Sequence, residues 1–538
     1  MQNMRHKHHQ PLANFEKLLS EKDALIDEKD DLIEKKSQVI EAQKHRIKVL
    51  EEGLRLLNRK HFAPSSELRK LQGDLFNEVE LAASEAETTP DKSTLPKQKK
   101  KGGRKGLSKN IPREQIYIDL SPEEKEGAID TFYVVVKEEL DKIPPKIRVL
   151  EYLQEKAVFK QDGKRSIKAA KMPKHPLGKA IASVNLLAYI IIAKYMDALP
   201  LHRLERILGR YGGQISRGTM AGWLIRLSTQ LQPLINLMWD YQLAYDYMQV
   251  DETRVQVLKQ TGYSPTTDKW MWVTRGGPPD RPCVIFSYDP SRGKEVPARL
   301  LDGFTGYLQT DGYEGYAKAC RENNIIRIGC MDHARRKFKD AQDANPKSKK
   351  TPAQPVLSDM ALEKIGSLYA IEAELKKKQS LYEDDKAFYA AVYQTRQAES
   401  KPLLDELKQW ADNNRHKVPK DSLTGKAFTY LCNQWPRLIG YCDDGRLQIS
   451  NILAENAIRP FAIGRRNWLF ADTPKGAEAS AIYYSLIESA KANEVEPYEY
   501  FRRMLKQLPY ATTVEELEAL LPWNMKKVCD EKSTTLIN

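Results

Sequence analysis

Three carboxylates in this 538-residue chain stand where chemistry is done. Asp251 closes the apolar-rich run YDYMQV, Asp311 closes GYLQT just before Gly312, and Glu455 lies in a short helix that follows a long helical stretch. Acids at the ends of neighbouring strands share the edge of an α/β sheet where ligands gather. Held close, two aspartates and a glutamate repel unless divalent cations neutralise them, and hard oxygen donors suit Mg2+ or Mn2+. Two such ions about 3.5–4 Å apart can activate a water or a 3′-hydroxyl and stabilise the leaving oxygen of an in-line phosphoryl displacement. Spacing alone does not decide this, because in a chain with 73 acidic residues most strand-end aspartates are surface turn formers.

The elements that must position these acids follow from periodicity. Tyr245–Asp251, Thr253–Leu258, Trp270–Arg275 and Cys283–Tyr288 are β-rich runs; after a short helix through Leu301 come Gly306–Asp311 and Ile325–Cys330, with a helix between them. Hairpin-like strands followed by alternating strand and helix predict an α/β layer with a mixed sheet. From Pro346 to about Gly445 the period is helical, which reads as an insertion. No strand signal resumes after it; the helix of Glu455 and a second one, AEASAIYYSLIESAKAN, follow.

Upstream, residues 15–58 repeat every seven: Leu19, Ile26, Ile33, Ile40, Ile47 and Leu54 share one register, flanked by Leu18, Leu25, Leu32 and Val39. Such a seam predicts a coiled coil and a homo-oligomer, the alternative being one amphipathic helix folded onto the body. Next comes a tether in which Lys97, Lys99, Lys100, Lys101, Arg104, Lys105 and Lys109 occur with no acid between them, suited to a DNA backbone or simply solvated. Residues 113–172 show short β-like runs at Gln115–Asp119, Thr131–Lys137, Ile147–Leu153 and Lys156–Lys160. Within 178–240, LHRLERILGRYGGQISRGTMAGWL reads as helix, glycine turn, helix. Ser216 is the N-cap, and Thr219, Met220, Trp223 and Leu224 would face a major groove, unless the pair is an ordinary core hairpin.

The whole composition agrees with a nucleic-acid partner. Lys and Arg number 86 against 73 acids, a net charge of +13, and excess cationic side chains bind phosphate by counterion release. At 41% hydrophobic residues the chain can build real cores and is not globally disordered, and its length suits several modules. Ala180 to Ala193 is too short for a membrane span and reads as a buried helix, so no membrane partner is expected. The N-terminus lacks an apolar leader core, which predicts a cytoplasmic, nucleoid-associated protein. Six cysteines without a CxxC pair offer neither a disulfide framework nor a zinc ribbon.

VDET, TDGYEGY, GCMDHARRKF and the long block SNILAENAIRPFAIGRRNWLFADTPKGAEASAIYYSLIESAKANEVEPYEYFRRML closely resemble the signature blocks of the insertion-sequence-66 family of bacterial transposases. KHFAPSSE resembles that family's junction after its coiled coil, and IASVNLLAYIIIAKYMDALPLHRLERILGRYG through SRGTMAGWL its helical DNA-binding region. The resemblance implies a multidomain α/β protein whose RNase H-like core, interrupted by a helical insertion, cuts and joins DNA at element ends and target with two divalent metals. It puts the DDE residues, as catalysts and metal ligands, on Asp251, Asp311 and Glu455. Cys330 and His333 look like a C-x-x-H element, with His333 a candidate DNA contact or a structural histidine. Arg459, one helical turn beyond Glu455, can grip a phosphate or steady the carboxylate; Arg465 and Arg466 are candidate DNA contacts and Trp468 a core residue. Two small accessory proteins encoded beside the transposase are also implied. Relatives carry cysteine pairs in the β module, but 113–172 has none, so no zinc is expected there.

The expected division is a coiled coil over 1–60, basic linker 61–112, small β module 113–175 and helix-turn-helix-like module 176–240. The core then spans 241–345 and 446–495 around the insertion 346–445, with a helical tail at 496–538. The alternatives are a non-catalytic DNA-bridging relative and a metal-dependent nuclease without strand transfer.

Overall fold

A computed structural model describes residues 6–62, scattered positions between 113 and 155, and then 156–161, 164–344 and 356–525; the side chains of the first helix are described over 17–58. Lys99, Lys100, Lys101, Arg104 and Lys105 lie outside the described residues. The protein is a mixed α/β structure.

Helix α1 (His6–Phe62) is continuous over 57 residues. Its last turns rest on the body: Arg55 Nε donates to the Ala344 carbonyl at 3.2 Å, Glu52 accepts the Leu423 amide at 3.4 Å, and His45 lies 3.5 Å from Asp421. The seven-residue stripe takes no part in this contact, since Leu19, Ile26, Ile33, Ile40, Ile47 and Leu54 are 49–61% exposed along the helix. Among its described side chains, α1 therefore folds back only at its end, through the face opposite the stripe.

Among the described residues of the β segment, strand pairing is confined to its end. One antiparallel hairpin forms, β1 (Lys156–Gln161) with β2 (Lys164–Ala169), in the register Lys156↔Ala169 to Gln161↔Lys164. The described residues of the runs at 115–118, 132–135 and 147–153 belong to no strand. Their apolar side chains, like Val158 and Ile167 of the hairpin, are exposed, and alternation without a covering layer gives a strand nothing to bury.

Three helices follow. In α2 (Val184–Tyr195) the cap is Ser183, whose hydroxyl accepts the Leu186 amide, and Leu187, Ile190 and Ile191 are buried, as the apolar run predicts. Among the described residues no helix is long and apolar enough to cross a membrane. Helix α3 (Leu201–Arg210), a turn through Gly212 at φ 87°, and α4 (Arg217–Leu243), capped by Ser216, give the helix, glycine turn, helix layout. Its open face differs from expectation. Met220, Trp223 and Leu224 are buried, and the Leu224 carbonyl accepts the Tyr483 hydroxyl at 2.8 Å. These are the apolar residues of the segment and burial claims them; Arg217, Thr219, Gly222 and Arg226 are left outward.

The central sheet runs β5–β4–β3–β6–β7. Strands β3 (Tyr247–Val257), β4 (Lys269–Gly276) and β5 (Cys283–Asp289) are antiparallel; β6 (Gly306–Gln309) and β7 (Ile325–Ile328) run parallel to β3 and to each other. Helices α5 (Glu295–Leu300) and α6 (Ala317–Glu322) complete the crossovers. Two expectations are corrected. Tyr245–Asp251 and Thr253–Leu258 form one strand, because the ladder to β4 continues through the polar Asp251–Thr253 step, so Asp251 sits mid-strand. A two-residue strand, β8 (Phe470–Ala471), does follow the insertion and pairs parallel with the end of β3; two residues are too few to leave a periodic signal.

One face of the sheet packs Met248, Val250 and Trp272 against Phe304, Leu308 and Tyr316. The other packs Val255, Met271, Val273 and Ile285 against α2, α4, α12 (Ile452–Trp468) and α13 (Pro474–Ala492). Ser485 and Ser489 of α13 accept the amides of Phe286 and Val284 at 2.8 and 2.9 Å, so the edge strand β5 is closed by helix side chains. A further core joins α7 (Met331–Ala344) to the insertion helices α8 (Leu357–Lys378), α10 (Lys401–Asn414) and α11 (Leu423–Leu438), with α9 (Asp385–Thr395) beside them. The tail forms α14 (Pro497–Gln507) and α15 (Val514–Glu518).

Candidate active site

Strand alternation sorts the acids of VDET. Asp251 and Glu252 are adjacent and so face opposite sides of β3. Glu252 pairs in register with Trp272 on the α5/α6 side, where it accepts Arg292 Nε and Nη2 at 2.9 and 2.6 Å and the Tyr316 hydroxyl at 2.5 Å. Asp251 pairs with Val273 and faces the side covered by α12, the helix of Glu455. Its carboxyl is held well above the usual carboxylate range, first by desolvation and then by the charges of Glu455, Glu252 and Asp311.

Asp311 lies two residues beyond β6, where its Oδ1 accepts the Tyr313 amide at 2.8 Å. Arg327 ties the loop down, donating to the carbonyls of Asp311 and Tyr313 at 2.8 and 2.6 Å and to Thr310 Oγ1 at 2.9 Å. Gly312 lets the insertion approach: a Cβ there would stand 2.8 Å from the ring of Tyr430 on α11.

Glu455 sits in the first turn of α12 and is 2% exposed. Arg336 Nη2 approaches its Oε2 at 3.3 Å, and His333 Nδ1 its Oε1 at 3.7 Å, both from α7. Burial drives the carboxyl up to about 7 against the opposing charge of Arg336, with Asp332 adding to the rise. His333 is pushed down to about 4 by burial and then by Arg336, while Asp311 pulls the other way, so its imidazole is neutral near pH 7.

Beneath the acids lies a pair of buried amides that sequence reasoning missed. Gln249 Nε2 donates to Gln309 Oε1 at 2.9 Å and to the Ser450 carbonyl at 3.2 Å, while its Oε1 accepts the Ala454 amide at 3.1 Å. Gln309 Nε2 in turn reaches the carbonyls of Gly329 and Gln448 at 3.1 and 2.6 Å. Each glutamine stands two residues before an aspartate, which puts Gln249 on the same side of β3 as Asp251. One amide pair thus joins the strands of Asp251 and Asp311 to the residue before Glu455. The recurring Gln-x-Asp of QVD and QTD is the signal that could have revealed it. Arg336, inside the quoted GCMDHARRKF block, and Glu252 with its Arg292 and Tyr316 partners were missed too.

The arginines after Glu455 divide. Arg459 is close enough to lower the pKa of Glu455. Arg465 bonds to the Arg254 carbonyl and stands 3.5 Å from Thr253 Oγ1, so its guanidinium is engaged by β3; Arg466 is exposed. Trp468 is partly buried, edge-on to Phe461 at 5.4 Å.

Half-buried Asp251 and Asp311 at the sheet, together with buried Glu455 on the helix that covers it, define a class of acid-lined site suited to a divalent cation. The comparisons make this specific. Residues 179–479 match the transposase IS66 family, 485–523 the IS66 C-terminal element, and 49–116 the family described as transposase C of IS166 homeodomain. The uncharacterized protein y4qI of Sinorhizobium fredii is 30% identical over 89% of each chain, and y4jD of the same organism 28% identical over 78% of this chain and 81% of its own. The chain belongs to the IS66 family of transposases. Such an enzyme implies DNA and a divalent metal, and the residues present fit the ion: Glu455 Oε1 is buried with no hydrogen-bond partner, and burial raises the carboxyls of Asp251 and Glu455, that of Asp251 further through the charges of Glu455, Glu252 and Asp311, a cost that a cation removes.

Proposed function

We propose that the protein cuts element ends and joins them to target DNA, with Asp251, Asp311 and Glu455 as a DDE triad holding two Mg2+ or Mn2+ ions. The observation that carries this is the convergence of three acids from β3, the β6 exit and α12, close enough that the charges of Glu455 and Asp311 both add to the burial that raises the carboxyl of Asp251. An RNase H-like core is supported by the sheet, in which three antiparallel strands come first and two strands parallel to the first follow on its other side.

When bound, the ions supply Lewis-acid polarisation of the scissile phosphate and a nucleophile of lowered pKa. The protein's own groups do the rest. Gln249 and Gln309 fix the spacing of the acids. Arg336 holds Glu455 Oε2 and so turns Oε1 toward the site, and Arg459 lies on the same side for a phosphate oxygen. Neutral His333 at the rim can donate a hydrogen bond to DNA without adding charge, and exposed Arg466 extends the basic border. Element ends lie along the outward residues of α3 and α4, namely Arg203, Arg206, Arg210, Arg217 and Arg226, with the tether lysines following the backbone. A second copy of the chain covers the exposed stripe of α1 as a coiled coil.

The test is cleavage and joining of labelled end DNA with Mg2+. Asp251→Asn, Asp311→Asn and Glu455→Gln each abolish both products while retaining end binding in a gel shift. Undiminished cleavage by all three variants overturns the assignment.

A further inference from the structure

Glu455 belongs to a second constellation besides the acids. Cys330 Sγ, one ring nitrogen of His333 and one carboxylate oxygen of Glu455 lie within 4.8 Å of one another. His333 Nδ1 and Glu455 Oε1 are buried without a hydrogen-bond partner and stand 3.7 Å apart. Cys330 is fully buried, which holds its thiol well above the ordinary range, with the charges of Asp332 and Glu455 adding to the rise, while the backbone amides of Asn451 and His333 at its sulfur act against it and would steady the thiolate once a cation binds. Arg336 occupies Glu455 Oε2 and leaves Oε1 for a ligand bond.

Hard cations do not explain this set. Mg2+ takes oxygen donors and has no use for a thiol or an imidazole, whereas one sulfur, one nitrogen and one oxygen suit a borderline-soft divalent ion of the zinc type. In a tetrahedral site these atoms would lie about 3.3–3.6 Å apart, so closing the cluster needs side-chain shifts of an ångström or so. His333 is the member that reaches solvent, with 24% of its side chain exposed, and gives an ion its way in.

We propose that Cys330, His333 and Glu455 form a site for a zinc-type divalent ion that competes with the catalytic cations for Glu455. Binding forms the sulfur–metal, nitrogen–metal and oxygen–metal bonds and releases the thiol proton of Cys330 to solvent, leaving a fourth position for water. Because one carboxylate oxygen cannot serve both arrangements, zinc acts as an off-switch for cleavage. The expected absence of zinc from the β module concerns a different, cysteine-free segment. The competition rests on the DDE reading of Glu455; the binding site does not.

The experiment uses the metal-stripped full chain and Co2+ as a spectroscopic probe. The wild type and Cys432→Ser develop a thiolate-to-cobalt charge-transfer band at one ion per chain, which Zn2+ bleaches and Mg2+ does not. Cys330→Ser lacks the band, and His333→Asn, which keeps the thiol, weakens Zn2+ binding by at least about tenfold, with circular dichroism showing both variants folded. No band in the wild type, a band surviving in Cys330→Ser, or unchanged Zn2+ affinity in folded His333→Asn overturns the proposal. Should Cys330→Ser fail to fold, His333→Asn decides alone. If the band fails while Mg2+-dependent cleavage persists and depends on Asp251, the zinc site falls and the transposition chemistry stands; a sound band without cleavage gives the reverse.

Discussion

Glu455→Gln, in the absence of divalent metal, should make the protein more stable at alkaline pH while leaving it nearly unchanged in acid. The carboxyl rises from an ordinary 4.5 to about 7 on folding, chiefly through burial. A folded-state pKa above the unfolded one contributes stability that is fully present below the unfolded value and lost as pH climbs through the folded value. The window is therefore about pH 4.5 to 7, and a shift of about 2.5 units at 1.36 kcal/mol each is worth roughly 3 kcal/mol. Glutamine is the permanent analogue of the protonated acid and escapes that loss. For a body of roughly 350 residues unfolding with about 2.1 cal/mol/K per residue, the difference is about 5 °C in Tm. Asp251 works in the same direction, because removing the Glu455 charge eases its own burial. Thermal melts of both proteins near pH 5 and near pH 8 should show a gap that opens with pH, and Mg2+ should close it by stabilising the wild type alone. A gap equal at the two pH values, or a wild type more stable than the variant at pH 8, would refute the claim that Glu455 is buried as a reluctant anion.

Replacing Ile33 and Ile40, half-exposed members of the α1 stripe, by lysine should reduce the mass seen in light scattering without lowering the Tm of the body. On α4, Arg217→Ala with Arg226→Ala should weaken end binding and flatten its salt dependence by roughly one to two released counterions with an unchanged melt. Trp223→Ala should instead cost about 3–5 kcal/mol of stability, since that ring is buried in the core.

The parts that could be read in the sequence were those that repeat or alternate. The seven-residue register gave the long α1, the apolar run gave α2, and alternation gave β4 and β5 close to their observed limits. What misled was local polarity. Asp251, Glu252 and Thr253 look like a strand break, yet the ladder passes through them because Arg292 and Tyr316 satisfy Glu252 from more than thirty residues away. The described apolar residues of 115–153 alternate as in a sheet, yet they are exposed. Trp223 and Leu224 fell on the side chosen by tertiary packing, which a helix-turn-helix spacing does not encode. The approach of His333 and Arg336 to Glu455 joins α7 to α12 across 122 and 119 residues, a distance no window of sequence spans.

The docked end of α1 fixes an origin for a measurement. The end of α1 is held at Ala344, where α7 ends, and at the start of α11, so the remaining helix projects from a defined point on the body that carries His333 and Arg336 at the other end of α7. About forty helical residues at ~1.5 Å each make an arm of about 60 Å. Two arms joined in parallel would set their cutting centres side by side, whereas an antiparallel pairing would separate them by a large part of that length. If the seam pairs two chains as proposed, it is also a ruler: the direction in which they lie together would determine the span of DNA that a pair of cuts could embrace.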